Sequence, residues 1–283
     1  MLLYIQLVTL AIHCVICWVF VAKFGMREWG AALATNITYI GNYVLTDMWC
    51  RRTPEISKTM VPFLSRNSCM NLWTNFRLGL PGAFMTCFEW WCFEILTLFT
   101  GLMGVSEIAA EVVVVNIVTF VFMVPLGTSF AASALTGNNL GEGKIDVAKK
   151  QAALCFVFNT TITIIIIVLL GIYKDGISNL FTTEHHVVEI TRDCMWVIMI
   201  YIFFDTIHGV QAGVIRGIGK QLIGAGLTIL CYWIIGIPLA LLFAFYYEGG
   251  VAGLWFGMTL ACIILDIALQ AVISCTSWEN VAS

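Results

Sequence analysis

Long runs of apolar residues separated by short polar connections constrain this chain more than any other feature of its sequence. A helix needs about 20 mainly apolar residues to cross the hydrocarbon core of a bilayer. The first run lacks a preceding basic segment and is too long for the apolar part of a signal peptide, so we interpret it as a span. Hydropathy predicts eight spans, at residues 2–22, 30–49, 79–101, 108–134, 152–172, 194–215, 222–246 and 250–273.

The composition supports insertion into a membrane rather than a large soluble core. Charged residues make up 11% of the 283 residues and hydrophobic residues 60%, whereas about a quarter of a soluble domain is charged. The sequence lacks the patterns of zinc ligands, of a phosphate-binding loop, of a catalytic triad and of a basic nucleic-acid surface. We therefore predict an all-α, multi-pass protein in the lipid bilayer, with no enzymatic activity, metal, cofactor or nucleic-acid partner.

Lysine and arginine are distributed unevenly between alternate connections. Ten of the 14 basic residues lie in the second, fourth and sixth connections, and four lie in the others. Short cytosolic loops carry an excess of basic residues, so this bias places the first group in the cytosol. With eight spans, both termini are then predicted to be cytosolic.

Two carboxylates interrupt the third span. Glu89 and Glu94 lie within residues 85–98, and neither has a lysine or arginine within a helical turn. An ionisable group at this depth costs about 2.5–3.5 kcal/mol on insertion scales, so it indicates a functional site. The two acids are about 140° apart around the helix axis. We predict that Glu89 faces the bundle interior and that Glu94 has a supporting role, with a protonated carboxyl that only bonds a neighbouring helix as the alternative.

The sixth span contains another acid, Asp205, with His208 three residues further on and therefore on the same helix face. A carboxylate beside an imidazole can pass protons, although a histidine that only satisfies a buried hydrogen bond is the simpler interpretation. Asp266 in the eighth span gives a weaker signal. Glu107 and Glu111 begin the fourth span, where acids complement the positive end of the helix dipole, and we interpret them as structural.

Buried carboxylates of this kind have a defined chemistry. Burial disfavours the charged form of a carboxyl group, while a cation in the same cavity favours it. Protons and cations therefore compete for the same carboxylate, and this competition is the physical basis of a proton–cation antiporter. The sequence thus points to proton or cation binding at Glu89 and Asp205.

Four sequence segments, one of which contains Glu89 and Glu94, also indicate a family. They are residues 89–94 (Glu-Trp-Trp-Cys-Phe-Glu), 124–143, 213–221 and 232–238. In order and spacing they resemble motifs of the multidrug and toxic compound extrusion (MATE) family of transporters, in its eukaryotic and more plant-like form. The resemblance covers nearly the whole chain.

The resemblance implies twelve helices in two six-helix lobes that alternate access to the two sides of the membrane. This chain, N-terminally truncated relative to the family, would supply helices five to twelve. Residues 1–50 would be the last two helices of the N-terminal lobe, 51–78 a cytosolic loop between the lobes, 79–275 the C-terminal lobe and 276–283 a cytosolic tail. The N-terminal helices outside this chain would complete the substrate cleft.

The family also implies a function: proton-coupled export of small organic cations, drugs or secondary metabolites across the plasma membrane or a vacuolar or vesicular membrane. The proton- and cation-binding carboxylates of the family map onto Glu89 and Asp205. Supporting positions are Glu94, Asn116, His208, Tyr232 and Trp90. Motif positions with a structural role are Pro125, Gly137, Asn138, Gly141, Arg216, Gly217 and Pro238.

The chain departs from the family pattern in two places. Leu135-Thr136 replaces a common Arg-Val pair in the loop motif, and Asn116 replaces an acid of the animal members. Because Asn116 carries no charge, we expect the acids of the site to be Glu89 and Asp205, with Asn116 as a neutral neighbour. The leading interpretation is a MATE-type antiporter or the C-terminal two-thirds of one. The alternatives that stay open are an incomplete or inactive fragment, a receptor or channel subunit whose acids line a pocket or pore, and a membrane-embedded enzyme.

Overall fold

The structure, a computed structural model, describes residues 2–58, 60, 70 and 72–282. Within these ranges all regular secondary structure is helical, as the sequence predicted. The eight long helices are α1 (Leu2–Trp18, continued by a π-helical turn over Val19–Lys23), α2 (Arg27–Arg52), α3 (Leu72–Thr100), α4 (Val105–Gly141), α5 (Ile145–Phe181), α6 (His185–Gly217), α7 (Gln221–Tyr246) and α8 (Gly250–Cys275).

Each predicted span lies within or almost within one of these helices. Over the described ranges, five helical stretches are long and apolar enough to cross a membrane: Leu3–Lys23, Val105–Gly141, Ile145–Phe181, Gln221–Tyr246 and Gly250–Cys275. For α2, α3 and α6, membrane crossing stays a prediction. Large apolar side chains point away from the protein on α4 and α5, where Phe120 is 81% and Leu180 83% exposed, as expected of faces that meet lipid tails.

Several helices extend beyond the apolar runs. The predicted loop 51–78 contains a short helix, Pro54–Ser57, and the first turns of α3. Part of this loop, residues 59, 61–69 and 71, lies outside the described residues. The predicted tail contains a second short helix, Trp278–Ala282. Hydropathy locates only the apolar part of a helix, whereas the backbone hydrogen bonds continue into polar turns.

The chain divides into two compact units, Met1–Leu72 and Trp73–Ser283. In the first unit, α1 and α2 pack together, and the His13 ring lies 2.9 Å from the Thr38 hydroxyl oxygen. The second unit contains α3 to α8 and carries most of the buried side chains. The break falls inside the predicted inter-lobe loop, and the assignment of the two units to two lobes stays a prediction.

Helices α4 and α6 approach each other closely along a stripe of glycines on α6. Gly209, Gly213 and Gly217 recur every four residues and therefore share one helix face. A Cβ atom on Gly217 would lie 2.7 Å from Cβ of Thr136, and one on Gly213 would overlap the Ser129 backbone. Only glycine allows this approach, which resembles the small-residue contacts of membrane helices.

Helix α7 is not a regular α-helix. Its turns widen to a π-helix over Ile229–Gly236 and again over Leu242–Tyr246. Pro238 follows the first π-helical stretch, and a wider turn relieves the clash between a proline ring and the preceding carbonyl groups. The first stretch places Tyr232 in the protein interior, where its side chain is fully buried.

Candidate functional site

Glu89 lies on the buried face of α3. Its helical neighbours Met85, Cys92 and Leu96, at spacings of four, three and seven residues, are almost fully buried. The Glu89 side chain is 12% exposed. The periodicity of α3 thus turns this carboxylate toward the helices around it, in the direction that the sequence predicted.

Tyr201, Asp205 and His208 occupy one face of α6 at spacings of four and three residues. All three are buried. The Tyr201 hydroxyl donates a 3.0 Å hydrogen bond to Oδ1 of Asp205. This bond partly replaces the water that the carboxylate gives up on burial.

His208 lies between two acids from other helices. Its Nε2 atom is 3.5 Å from Oε2 of Glu89 on α3, and its Nδ1 atom is 4.0 Å from Oδ1 of Asp266 on α8. The imidazole side chain is only 1% exposed. Three helices therefore place two carboxyl groups and an imidazole in a single row.

Glu89 and Asp205 line the same cavity, which has a volume of about 80 Å³. Glu94 and Trp90 also line it. The two acids of α3 reach the same cavity, although they are about 140° apart around the helix, because glutamate side chains are long. Most of the remaining lining is aromatic and apolar, including Phe93, Phe122, Tyr201 and Trp255. Among the described residues, no lysine or arginine lines this cavity.

The structure does not bring Asn116 to this cavity. Asn116 is exposed, and its amide Nδ2 donates a 2.7 Å hydrogen bond back to the carbonyl of Val112. It lines a separate groove with Phe120 on α4 and Leu170 on α5. The rotation of α4 explains the difference, because α4 presents Thr119 and its neighbours, rather than Asn116, to the acidic cavity.

Tyr232, the other supporting position, packs against His208 with ring centroids 6.1 Å apart in an edge-on arrangement. The backbone carbonyl of Tyr232 also lies 3.7 Å from Sγ of Cys92 on α3. The π-helical stretch of α7 therefore forms one wall of the imidazole site.

Glu111 is an acid whose position differs from the sequence interpretation. It is fully buried, and the Trp255 indole nitrogen Nε1 donates a 2.8 Å hydrogen bond to its Oε2 atom. Glu111 lies in the second turn of α4, where its position suggested only a helix-dipole role. The sequence could not reveal its partner, because Trp255 lies 144 residues away.

The motif residues of α4 and α6 meet along the C-terminal halves of the two helices. Arg216 Nη2 donates a 2.8 Å hydrogen bond to Ser129 Oγ, and Ser129 Oγ donates to the carbonyl of Gly209. Pro125 packs against Gly209, and Gly137 faces Gly217. These contacts fix α4 against α6 and thereby hold Asp205 and His208 in place.

The remaining motif residues lie at the end of α4. Gly141 is the last residue of that helix, and the Asn138 carbonyl accepts a 3.0 Å hydrogen bond from the Glu142 backbone. Gly143 then adopts a left-handed conformation, with φ of +72°, which turns the chain toward α5. The glycine-rich segment thus forms a helix end and a turn.

Comparison with known proteins identifies relatives over almost the whole chain. The family model MatE matches residues 81–242. Protein DETOXIFICATION 14 of Arabidopsis thaliana is 31% identical over 280 residues, which cover 97% of this chain and 57% of that protein. Multidrug and toxin extrusion protein 1 of Danio rerio is 33% identical over 256 residues, which cover 90% of this chain and 43% of that protein.

Solved structures agree with these sequence matches. The crystal structure of the eukaryotic MATE transporter AtDTX14 has a TM-score of 0.90 and 29% identity, and the match covers 98% of this chain and 62% of that one. The Vibrio cholerae MATE transporter VcmN in its bent form shares the fold with a TM-score of 0.78 at 17% identity, over 99% of this chain and 61% of that one. The chain thus spans a little over half the length of its plant relatives.

Proposed function

Because the chain belongs to the MatE family, we propose that it is a proton-coupled antiporter that exports small organic cations, among them drugs and secondary metabolites. In this proposal, protons and cations compete for Glu89 and Asp205. The observation that carries the proposal is the cavity in which both carboxylates lie beside aromatic rings.

The chemistry of the cavity favours a cationic ligand. Two glutamates and an aspartate supply negative charge, and a cation over an aromatic face gains further attraction from the ring electrons. The rings of Trp90 and Phe122, which both line the cavity, are edge-on to each other with centroids 6.3 Å apart. Their planes are therefore differently oriented in the cavity wall. An organic cation can use the charge and the aromatic surface together.

The size of the cavity limits what these helices bind by themselves. Its volume of about 80 Å³ accommodates a few water molecules or a small cationic group, whereas pockets for drug-sized ligands measure about 300–1,000 Å³. We infer that helices corresponding to the rest of the longer relatives complete the substrate cleft. The present chain would then bind protons and the charged part of the cation, while the rest of a larger ligand such as ethidium lies outside the cavity.

MatE transporters are integral, multi-pass membrane proteins, and the apolar helices of this chain agree with that. The bias of basic residues between alternate connections supports cytosolic termini. We propose the plasma membrane or a vacuolar or vesicular membrane as the site of action, with H⁺ as the coupling ion.

Uptake of ethidium, a fluorescent organic cation, into liposomes containing the chain tests the proposal. With an acidic interior and a more alkaline exterior, an antiporter accumulates ethidium as protons leave. We expect Glu89→Gln and Asp205→Asn each to reduce this uptake at least tenfold, because each removes a carboxylate that exchanges the proton. Glu142→Gln, the same change as Glu89→Gln but in the exposed turn after α4, should leave uptake unchanged.

Binding of ethidium to the purified chain, measured by fluorescence, is the companion experiment. The proposal requires that acid pH weakens binding and that Glu89→Gln removes most of this pH dependence. Uptake or binding that persists in the Glu89→Gln, Asp205→Asn double variant would contradict the assignment of the site. An ion current without exchange of protons for ethidium would instead indicate a channel.

A further inference from the structure

A second groove, lined mainly by apolar side chains but with a row of three polar residues, lies on the Asp266 side of His208. Phe204 and Ile207 of α6 line it together with one face of α8. The polar residues on that face are Asp266, Gln270 and Ser274, spaced every four residues. The groove and the acidic cavity share no lining residue among those that the structure describes.

His208 and Asp266 are buried with their polar atoms unsatisfied. Among the described residues, no hydrogen-bond partner reaches either ring nitrogen of His208 or either carboxylate oxygen of Asp266. A buried polar group without a partner is destabilising, because it gives up its bonds to water and receives none in return. If His208 and Asp266 only stabilised the fold, we would expect them to lie close enough for a hydrogen bond. Groups that pass a proton on must instead be able to break one hydrogen bond and form another.

We propose that Glu89, His208 and Asp266 form a proton relay that connects the acidic cavity to the groove between α6 and α8. This inference rests on the proposed function, since it gives the proton exchanged at Glu89 a path of its own. The path consists of the 3.5 Å and 4.0 Å separations on the two sides of the imidazole. Each exceeds a good hydrogen bond of about 3 Å by an amount that small side-chain rotations can close.

The transfer is balanced in protons. A protonated Glu89 gives its proton to Nε2 of His208, and the Nδ1–H bond of the same ring breaks as its proton passes to the Asp266 carboxylate. Glu89 becomes a carboxylate, Asp266 becomes a carboxylic acid, and the imidazole changes from the Nδ1–H to the Nε2–H tautomer. Loss of the Asp266 proton to water in the groove leaves Glu89 as a carboxylate that can hold the cation. After the cation leaves, return of the imidazole to the Nδ1–H tautomer and uptake of a new proton by Glu89 restore the starting state.

The relay explains how a proton can leave while a cation arrives. An organic cation that enters the acidic cavity displaces the water that could otherwise carry the Glu89 proton away. An exit through His208 avoids this conflict, because it opens into a different groove. Gln211 supports that exit from α6, since its Nε2 atom donates a 3.1 Å hydrogen bond to the backbone carbonyl of Asp266.

Other titratable groups surround the relay and set its electrostatic environment. Asp205 and Tyr201 approach from α6, and Tyr232 approaches from α7. Cys262 is on α8, one helical turn before Asp266. Arg216, at the end of α6, interacts with Glu89 across the same interior.

The kinetics of proton release test the relay. A pH indicator in a stopped-flow instrument reports protons released when ethidium binds to the purified chain. We expect Asp266→Asn and His208→Gln to slow this release about tenfold or more without changing its equilibrium amount, since Glu89 and Asp205 remain. Asp266→Glu should restore the rate. Asp193→Asn, the same change at an exposed position of α6, serves as the matched control.

The tautomer of His208, observed by ¹⁵N NMR, gives a test that does not depend on transport or ethidium binding. His208→Gln identifies its signals among those of the four histidines. With the remaining acid ionised, we expect Asp266→Asn to favour the Nε2–H tautomer and Glu89→Gln the Nδ1–H tautomer, because each variant then keeps one carboxylate acceptor.

The two measurements separate the relay from the proposed function. No proton release from the unmodified chain would contradict the proposed function, and the NMR result would still decide about the relay. Unchanged release rates in Asp266→Asn, or the same His208 tautomer in both variants, would overturn the relay.

Discussion

At the scale of single residues, an acid inside a membrane helix needs polar side chains as partners. Asp205 accepts a hydrogen bond from Tyr201, Glu111 accepts one from Trp255, and Glu89 faces the imidazole of His208. These partners come from the aromatic and imidazole side chains of the chain rather than from lysine or arginine. Such partners leave a carboxylate free to exchange a proton for a cation, because they bring no permanent positive charge to the site.

The Glu111–Trp255 pair allows a prediction about stability. We expect Glu111→Leu to lower the free energy of unfolding by about 1–3 kcal/mol, since it leaves the buried Trp255 N–H without an acceptor. Trp255→Phe in the same molecule should recover part of this loss, as in a double-mutant cycle of two interacting residues. Reversible denaturation in detergent measures the four proteins. Strictly additive effects would show that the hydrogen bond contributes nothing to stability.

The sequence indicated the individual acids better than their neighbours. Glu89 and Asp205 could be singled out because an acid is costly in an apolar helix, and the structure places both on one cavity. The proximity of Asp266 to His208 had no local signal, because these residues lie on different helices. Asn116 was predicted at the site only because it matches a position of the family motif. That match does not reveal how α4 is rotated, and Asn116 lines another groove.

At the scale of helices, packing between α4 and α6 determines where the site residues lie. The glycine stripe of α6 brings its backbone against Ser129 and Thr136 of α4. Hydropathy alone predicted both helices but not this close contact, since apolar composition does not specify which faces meet. The spacing of Gly209, Gly213 and Gly217 was a usable signal, because small residues every four positions mark close helix contacts in membranes.

A pair of glycine substitutions tests this packing. Gly213→Val should destabilise the protein by about 1–3 kcal/mol, because the new side chain overlaps the Ser129 backbone and forces the helices apart. Gly127→Ala is the control on α4, where an added Cβ meets no atom within 4 Å. It should leave stability unchanged or raise it slightly, since alanine favours helix more than glycine. Equal thermal unfolding temperatures for the two variants would contradict the close contact.

At the scale of the whole molecule, the second unit combines a close-packed interior with an apolar outer surface. The interior contains the row from Glu89 through His208 to Asp266, and the outer faces of α4 and α5 carry large apolar side chains. Charge is therefore concentrated where protein, rather than lipid, surrounds it. This distribution is what a multi-pass transporter needs to keep ionisable groups inside a membrane.

The number of protons released for each organic cation bound shows whether protons and cations compete for Glu89 and Asp205. Calorimetric titration of the purified chain with ethidium, in two buffers that differ in ionisation enthalpy, yields this number at a fixed pH. Because protons and ethidium compete for the same carboxylates, we expect net proton release on binding, and loss of that release in the Glu89→Gln, Asp205→Asn double variant but not in Glu142→Gln. Ethidium binding without proton release, or release that persists in the double variant, would contradict it.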